Sequence, residues 1–254
     1  MLLMNKQNID TAWFTTYGLP QQQQARIFVF PYSGSGTSGF YQWAQTFRES
    51  GIDFMAIQLP GRENRLKEKP IADLSMLLEK LLPAITALLD KPFVFFGHSL
   101  GALIAFELCR ALRRQGLPLP QHLFVSAFRS PELSNPNKKL HHLATPEFIA
   151  GIREYGGTSE QVLVNREMMD LFLPMFRADF SLHETYQYRH ESALACPITA
   201  LMGTEDPFVR PEYMLNWRNQ THANFQQIQY PGKHFFLHEH MASICQRLQQ
   251  AVMG

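Results

Sequence analysis

The chain's 254 residues predict an α/β fold built on a mainly parallel sheet. Three observations carry that expectation. Short, continuously apolar runs recur along the chain, segments of helical spacing separate them, and Gly or Pro punctuates the joins. A continuously apolar run is how a strand reads when helices cover both faces of its sheet, whereas a half-exposed strand alternates.

The runs are RIFVF at 26–30, IDFMAIQL at 52–59, FVFFG at 93–97, HLFVSA at 122–127, PITALMG at 197–203 and FQQIQY at 225–230. Helical spacing predicts helices over 37–51 (closing on Gly51), 71–89 (a leucine stripe), 100–115 (followed by Gly116) and about 238–253. One interval breaks this rhythm. Between Ala127 and Cys196 lies far more chain than one crossover requires, and its pieces TPEFIAGIREYGG and VNREMMDLFLPMFRADFSLHETYQYR both read as helix. Structureless loops of that length are uncommon, so the interval is expected to be a helical lid inserted over about 132–192 of a single domain spanning 1–254.

Composition excludes several function classes. The 23 basic and 22 acidic residues leave a net charge of +1, with no clustered basic face for nucleic acid. Arg110, Arg113 and Arg114 fall at a predicted helix end, where cations favour the helix dipole. No run reaches the roughly 18 apolar residues of a membrane span, and MLLMNKQNID lacks a signal-peptide core. Gln21 to Gln24 reads as an exposed turn. Three separated cysteines, Cys109, Cys196 and Cys245, suit a reducing compartment and no zinc site, so a cytoplasmic protein without metal or cofactor is expected.

Chemistry enters at Gly97-His98-Ser99-Leu100-Gly101, which joins a buried strand to a helix. This is GxSxG in the strand–turn–helix context of a nucleophile elbow, the mark of the α/β-hydrolase fold. The turn raises the Ser99 hydroxyl at a helix N-terminus, where free N–H groups favour a developing oxyanion. His98 adjoins the serine but points elsewhere. In this fold the acid and then the base follow the serine along the chain. His234 follows the strand at 225–230 and a Pro231-Gly232 turn, on a loop at the sheet's carboxyl end; His238 and His240 fall in the predicted last helix. After the strand at 197–203 comes Gly203-Thr204-Glu205-Asp206-Pro207. Asp206, held extended by the following proline, is the expected acid, and Glu205 competes for the role.

Gly34, Gly36 and Gly39 in FPYSGSGTSGF spell GxGxxG after a strand. A dinucleotide fingerprint also requires an acid at the end of the second strand, and that strand ends in Gln58-Leu59-Pro60. The loop is better taken as half of an oxyanion hole, with one backbone N–H from Leu100 and the other from Ser33 or Tyr32.

With these residues in place, the chain resembles the type II thioesterases that accompany polyketide and non-ribosomal peptide synthetases. The resemblance covers nearly the whole length. It lies in FPYSG, QLPGRENR (58–65), FGHSLGALIAFELCRAL, LFVSAFRSP (123–131), LFLPMFRADFSLHETY (171–186), GTEDP and GKHFFL. PGRE and RADF are far more specific than the elbow. Where the family often has His-Ala-Gly-Gly, this chain has Tyr32-Ser33-Gly34-Ser35, and Ser33 stands at the family's donor position. The resemblance implies hydrolysis of acyl groups thioester-linked to the phosphopantetheine arm of a carrier-protein partner, through an acyl-serine on Ser99. Alternatives are a carboxylesterase or lipase for free esters, a medium-chain fatty acyl-carrier-protein thioesterase, and a silent binding module that docks on a synthetase. Tyr32, Met175, Phe176 and Phe180 are candidate acyl contacts; at helical spacing the lid's Met168, Met169, Leu171, Phe172, Met175, Phe176 and Phe180 could equally be packing.

Overall fold

A computed structural model describes residues 11–17 and 23–254. Its seven strands form one sheet in the order β1-β3-β2-β4-β5-β6-β7. They are β1 (Phe14–Thr16), β2 (Ala25–Phe30), β3 (Ile52–Ile57), β4 (Phe93–His98), β5 (His122–Ser126), β6 (Ile198–Gly203) and β7 (Phe225–Tyr230). All neighbours run parallel except β1, which lies antiparallel on β3. Three residues are too few for a periodic signal, so β1 escapes a sequence reading.

The strand side chains sort by parity. Phe28, Phe30, Phe95, Leu123, Val125 and Ile198 point into one layer with helices α2 (Leu74–Thr86) and α3 (Leu100–Arg114). Ile27, Val29, Phe54, Val94 and Phe96 point into the other with α1 (Tyr41–Thr46) and α8 (Met241–Met253). Burial on both faces is what makes β2, β3, β4 and β6 read as unbroken apolar runs. The edge strand β7 is only partly covered and carries three glutamines accordingly.

Helix boundaries differ from expectation in three places. The predicted helix over 37–51 is a 3-10 turn at Thr37–Phe40 followed by the short α1, and Gly51 sits beyond it in left-handed backbone. α2 begins late because the Asp73 carboxylate accepts the Met76 N–H at 2.9 Å and sets the cap there. α8 starts at Met241, so His238 lies in the turn before it and His240 forms its cap. The Arg110–Arg114 cluster ends α3 as expected, and its guanidiniums are spent on Glu107 and Glu191. The amino-terminal stretch MLLMNKQNID, Gln21 and Gln22 lie outside the described residues; Gln23 accepts a hydrogen bond from Lys91.

Between β5 and β6 the chain forms α4 (Thr145–Tyr155), α5 (Glu160–Leu163) and α6 (Arg166–Glu184). These helices share a core of their own, with Phe148, Ile152, Leu163, Met169, Met175 and Phe180 among its members. α7 (Pro211–Leu215) and the 3-10 turn after it follow β6, and the Trp217 indole there donates to the Phe128 carbonyl at 2.7 Å. Among the described residues no helix is long and apolar enough to cross a membrane.

Candidate active site

Ser99 stands between β4 and α3 with φ +53°, a left-handed value that a residue with a Cβ adopts only under constraint. The flanking glycines supply the constraint. A Cβ on Gly101 would lie 2.0 Å from the Phe30 carbonyl oxygen, and one on Gly97 would lie 2.2 Å from the Gly101 oxygen. Both obstacles are backbone, so neither can swing aside. We expect Gly101→Ala to cost about 3 kcal/mol, measurable as a lower urea midpoint, because β2 must shift to admit the methyl group.

The His234 Nε2 lies 3.2 Å from the Ser99 Oγ, and its Nδ1 lies 2.7 Å from the Asp206 Oδ2. The Asp206 side chain is fully buried, and its Oδ1 accepts the Phe208 N–H at 2.9 Å, which fixes the carboxylate in the turn. Glu205 is exposed, and the carboxylate bonded to the imidazole is that of Asp206. The His234 ring is walled by Tyr155 and Phe208, themselves stacked 4.0 Å apart, and by Phe235. Burial, followed by the nearby charges of Glu184 and Asp206, pushes the Tyr155 phenol up to about 12, so it stays protonated.

His98 is buried beneath the elbow and its Nδ1 lies 2.8 Å from the Ser126 Oγ, directed away from Ser99. Burial holds its pKa well below the usual range, so this imidazole is neutral. His238 is 3.3 Å from the Tyr32 hydroxyl rather than packed in a helix.

Tyr32 to Ser35 forms a type II turn. The Ser35 N–H donates to the Tyr32 carbonyl at 3.0 Å, and Gly34 holds φ +78° at the position that needs it. Among the described residues, neither the Leu100 nor the Ser33 N–H has an acceptor, and the Tyr32 N–H is likewise open. The rest of the glycine loop is occupied from within. Glu63, whose side chain fills the space beside Gly36, accepts from the N–H and hydroxyl of both Thr37 and Ser38 at 2.6–3.0 Å. A carboxylate therefore sits where a dinucleotide phosphate would need those donors.

A cavity beside Ser99 is lined by Tyr32, Ser33, Ile152, Tyr155, Phe176 and Phe180, with His183 in its wall. The cavity is narrow, with about 30 Å³ of enclosed space. Met175 does not reach it and is buried in the core shared by α4–α6; Met169 is buried there too, while Met168 and Leu171 are exposed. His183, Arg62 and Asp179 are site neighbours that sequence reasoning missed. PGRE and RADF were visible as motifs, but nothing in one dimension pairs them.

The sheet order, the elbow and the later loops that carry His234 and Asp206 define an α/β-hydrolase with its Ser, Asp and His in that fold's chain order. Residues 25–252 match the family model of the thioesterase domain. The chain belongs to the thioesterase family. It is similar to gramicidin S biosynthesis protein GrsT of Aneurinibacillus migulanus (42% identical; 89% of this chain, 88% of that one). It is also similar to linear gramicidin dehydrogenase LgrE of Brevibacillus parabrevis (38% identical; 99% and 98%). Among solved structures it superposes on the type II thioesterase BorB from the borrelidin biosynthetic cluster with a TM-score of 0.87 at 33% identity (95% and 98%).

Proposed function

We infer that this thioesterase hydrolyses acyl groups carried as thioesters on the phosphopantetheine arm of a synthetase carrier protein, clearing or releasing the chain. The observation that carries it is the continuous Ser99–His234–Asp206 hydrogen-bond chain, on a member of a family whose similar proteins include one named for gramicidin S biosynthesis and one from the borrelidin cluster. In this reading His234 Nε2 takes the Ser99 proton as Oγ attacks the thioester carbonyl. Asp206 holds the tautomer and steadies the imidazolium without taking the proton. The oxyanion is met by the N–H groups of Leu100 and Ser33. The pantetheine thiol leaves with the proton from His234, and a water deprotonated by the same nitrogen then frees the acid from acyl-Ser99.

Tyr32, Phe176 and Phe180 are the proposed acyl contacts. α4 and α6 wall this cavity through Ile152, Tyr155, Phe176 and Phe180, so the inserted helices serve as its lid. The free thiols of Cys109, Cys196 and Cys245 fit action in the reducing cytoplasm.

The test compares an acyl-carrier protein with a simple oxoester of the same acyl group, with mass spectrometry of the quenched enzyme. We expect the carrier thioester to be preferred and the acyl mass to map to Ser99. A preference for the free ester would favour a carboxylesterase; a preference for medium-chain fatty acyl carriers would move the enzyme to fatty-acid release.

A further inference from the structure

The two motifs that set this chain apart from a generic hydrolase, Pro60-Gly61-Arg62-Glu63 and Arg177-Ala178-Asp179-Phe180, meet in the tertiary structure. Arg62 Nη2 donates to Asp179 Oδ1 at 2.6 Å and Arg62 Nη1 to Asp179 Oδ2 at 2.9 Å, a two-pronged ion pair. Both side chains are almost wholly buried, at 4% and 1% exposure. Burial of that degree demands a reason, because taking two charges out of water costs more than their attraction ordinarily returns.

The reason lies in what else the pair holds. Asp179 Oδ2 also accepts the Gly34 N–H at 2.8 Å, and Arg62 Nη1 also donates to the Ser35 carbonyl at 2.9 Å. These two backbone groups belong to the type II turn that carries Ser33. Fixing the Gly34 N–H fixes the peptide plane between Ser33 and Gly34; fixing the Ser35 carbonyl pins the turn's far end. Glu63, the neighbour of Arg62, grips the next stretch of the same loop through Thr37 and Ser38. Phe176, one turn before Asp179 on α6, packs over Gly34 where a side chain would otherwise stand.

We propose that Arg62 and Asp179 are positioning residues for the oxyanion hole, holding the Ser33 N–H in the geometry that meets the tetrahedral intermediate. Neither touches substrate. Each acts through the turn. Since Asp179 rides on α6, the hole is complete only while that helix is docked on the glycine loop. A charged pair serves here because a preorganised donor must not relax as negative charge develops, and two buried full charges on one turn resist that relaxation.

The inference rests on Ser99 as nucleophile, and the experiment separates the two. Asp179→Asn keeps the shape but cannot serve both the guanidinium and the Gly34 N–H as an anion. On an acyl-pantetheine thioester we expect kcat to fall roughly 10²-fold, the scale of one lost oxyanion donor, with KM within about threefold. Affinity for a trifluoromethyl ketone, whose adduct places an alkoxide in the hole, should fall by a similar factor. Affinity for the matching non-hydrolysable thioether should hold within about twofold. The neutral pair Arg62→Gln with Asp179→Asn is measured alongside, in case the single variant folds poorly, and should show the same loss of ketone over thioether affinity. A variant with lower thermal stability but an unchanged ketone-to-thioether ratio and kcat would reduce the pair to a structural tie and overturn the proposal. Ser99→Ala is run in parallel: activity surviving there would sink the nucleophile itself, while an inactive Ser99→Ala beside an unimpaired Asp179→Asn would sink only the positioning role.

Discussion

Ser99→Ala should lower turnover of an acyl-carrier thioester by about a millionfold, the scale seen when a hydrolase loses its nucleophile, and leave the fold intact. The Oγ makes one hydrogen bond, to His234 at 3.2 Å, so its removal leaves no buried donor stranded in the sheet. The backbone at φ +53° predicts a further contrast. Alanine inherits the strain of that conformation, whereas Ser99→Gly relieves it and should be more stable than Ser99→Ala by about 1 kcal/mol. Circular dichroism melts beside a thiol-release assay check both halves. Turnover in Ser99→Ala above a hundredth of the parent rate would dismiss the acyl-serine route and leave room for a noncovalent hydrolase.

Acidification should destabilise this protein steeply between pH 6.5 and 5. Beside the half-buried His238, whose pKa is also lowered, three histidines deeper in the fold are held neutral by burial. His98 is fully buried under the elbow and lies well below its usual pKa. His122 stacks on Phe124 and is lowered to about 4; His183, between Phe128 and Phe180, is lowered to about 3 by burial and then by the charge of Arg129. The unfolded chain protonates each of them near 6.5, so it binds more protons than the folded state throughout this window. Stability is therefore full above 6.5 and is lost as pH falls toward the folded values. From pH 7.5 to 5 a histidine lowered to about 4 or 3 costs about 2 kcal/mol, so His122 and His183 together cost about 4, and His98 acts in the same direction. Domains of this kind have about 5–15 kcal/mol in total. Urea titrations at several pH values measure the slope. His122→Gln, at the end of β5 remote from Ser99, should flatten it by the His122 share of about 2 kcal/mol, and an unchanged slope would mean that His122 is charged in the folded state.

Much of this fold is legible in one dimension because its physics is local. Five strands read as apolar runs since helices cover both faces, the half-covered edge strand β7 reads more weakly, and the elbow reads as GxSxG since only glycine tolerates backbone oxygens 2.0–2.2 Å from where its Cβ would be. Chain order and loop placement point to Ser99 and His234 and narrow the acid to Asp206 or its neighbour Glu205. Local sequence alone is less sure of helix ends: α8 begins three residues later than its periodicity suggests, because the turn of 235–240 packs Phe236 and Leu237 into the core first.

What the sequence determined by itself is thus the parallel sheet, the strained serine turn and the two later loops at the sheet's carboxyl end that carry an acid and a histidine. Each follows from a residue type at a fixed offset from its own strand. Only the tertiary structure decided that Asp206 pairs with the imidazole, that Met175 is not among the residues lining the cavity, and that Arg62 reaches Asp179 across 117 residues of chain. Contacts of that kind depend on how separate elements pack in three dimensions, and no spacing along the backbone encodes the direction in which a buried charge finds its partner.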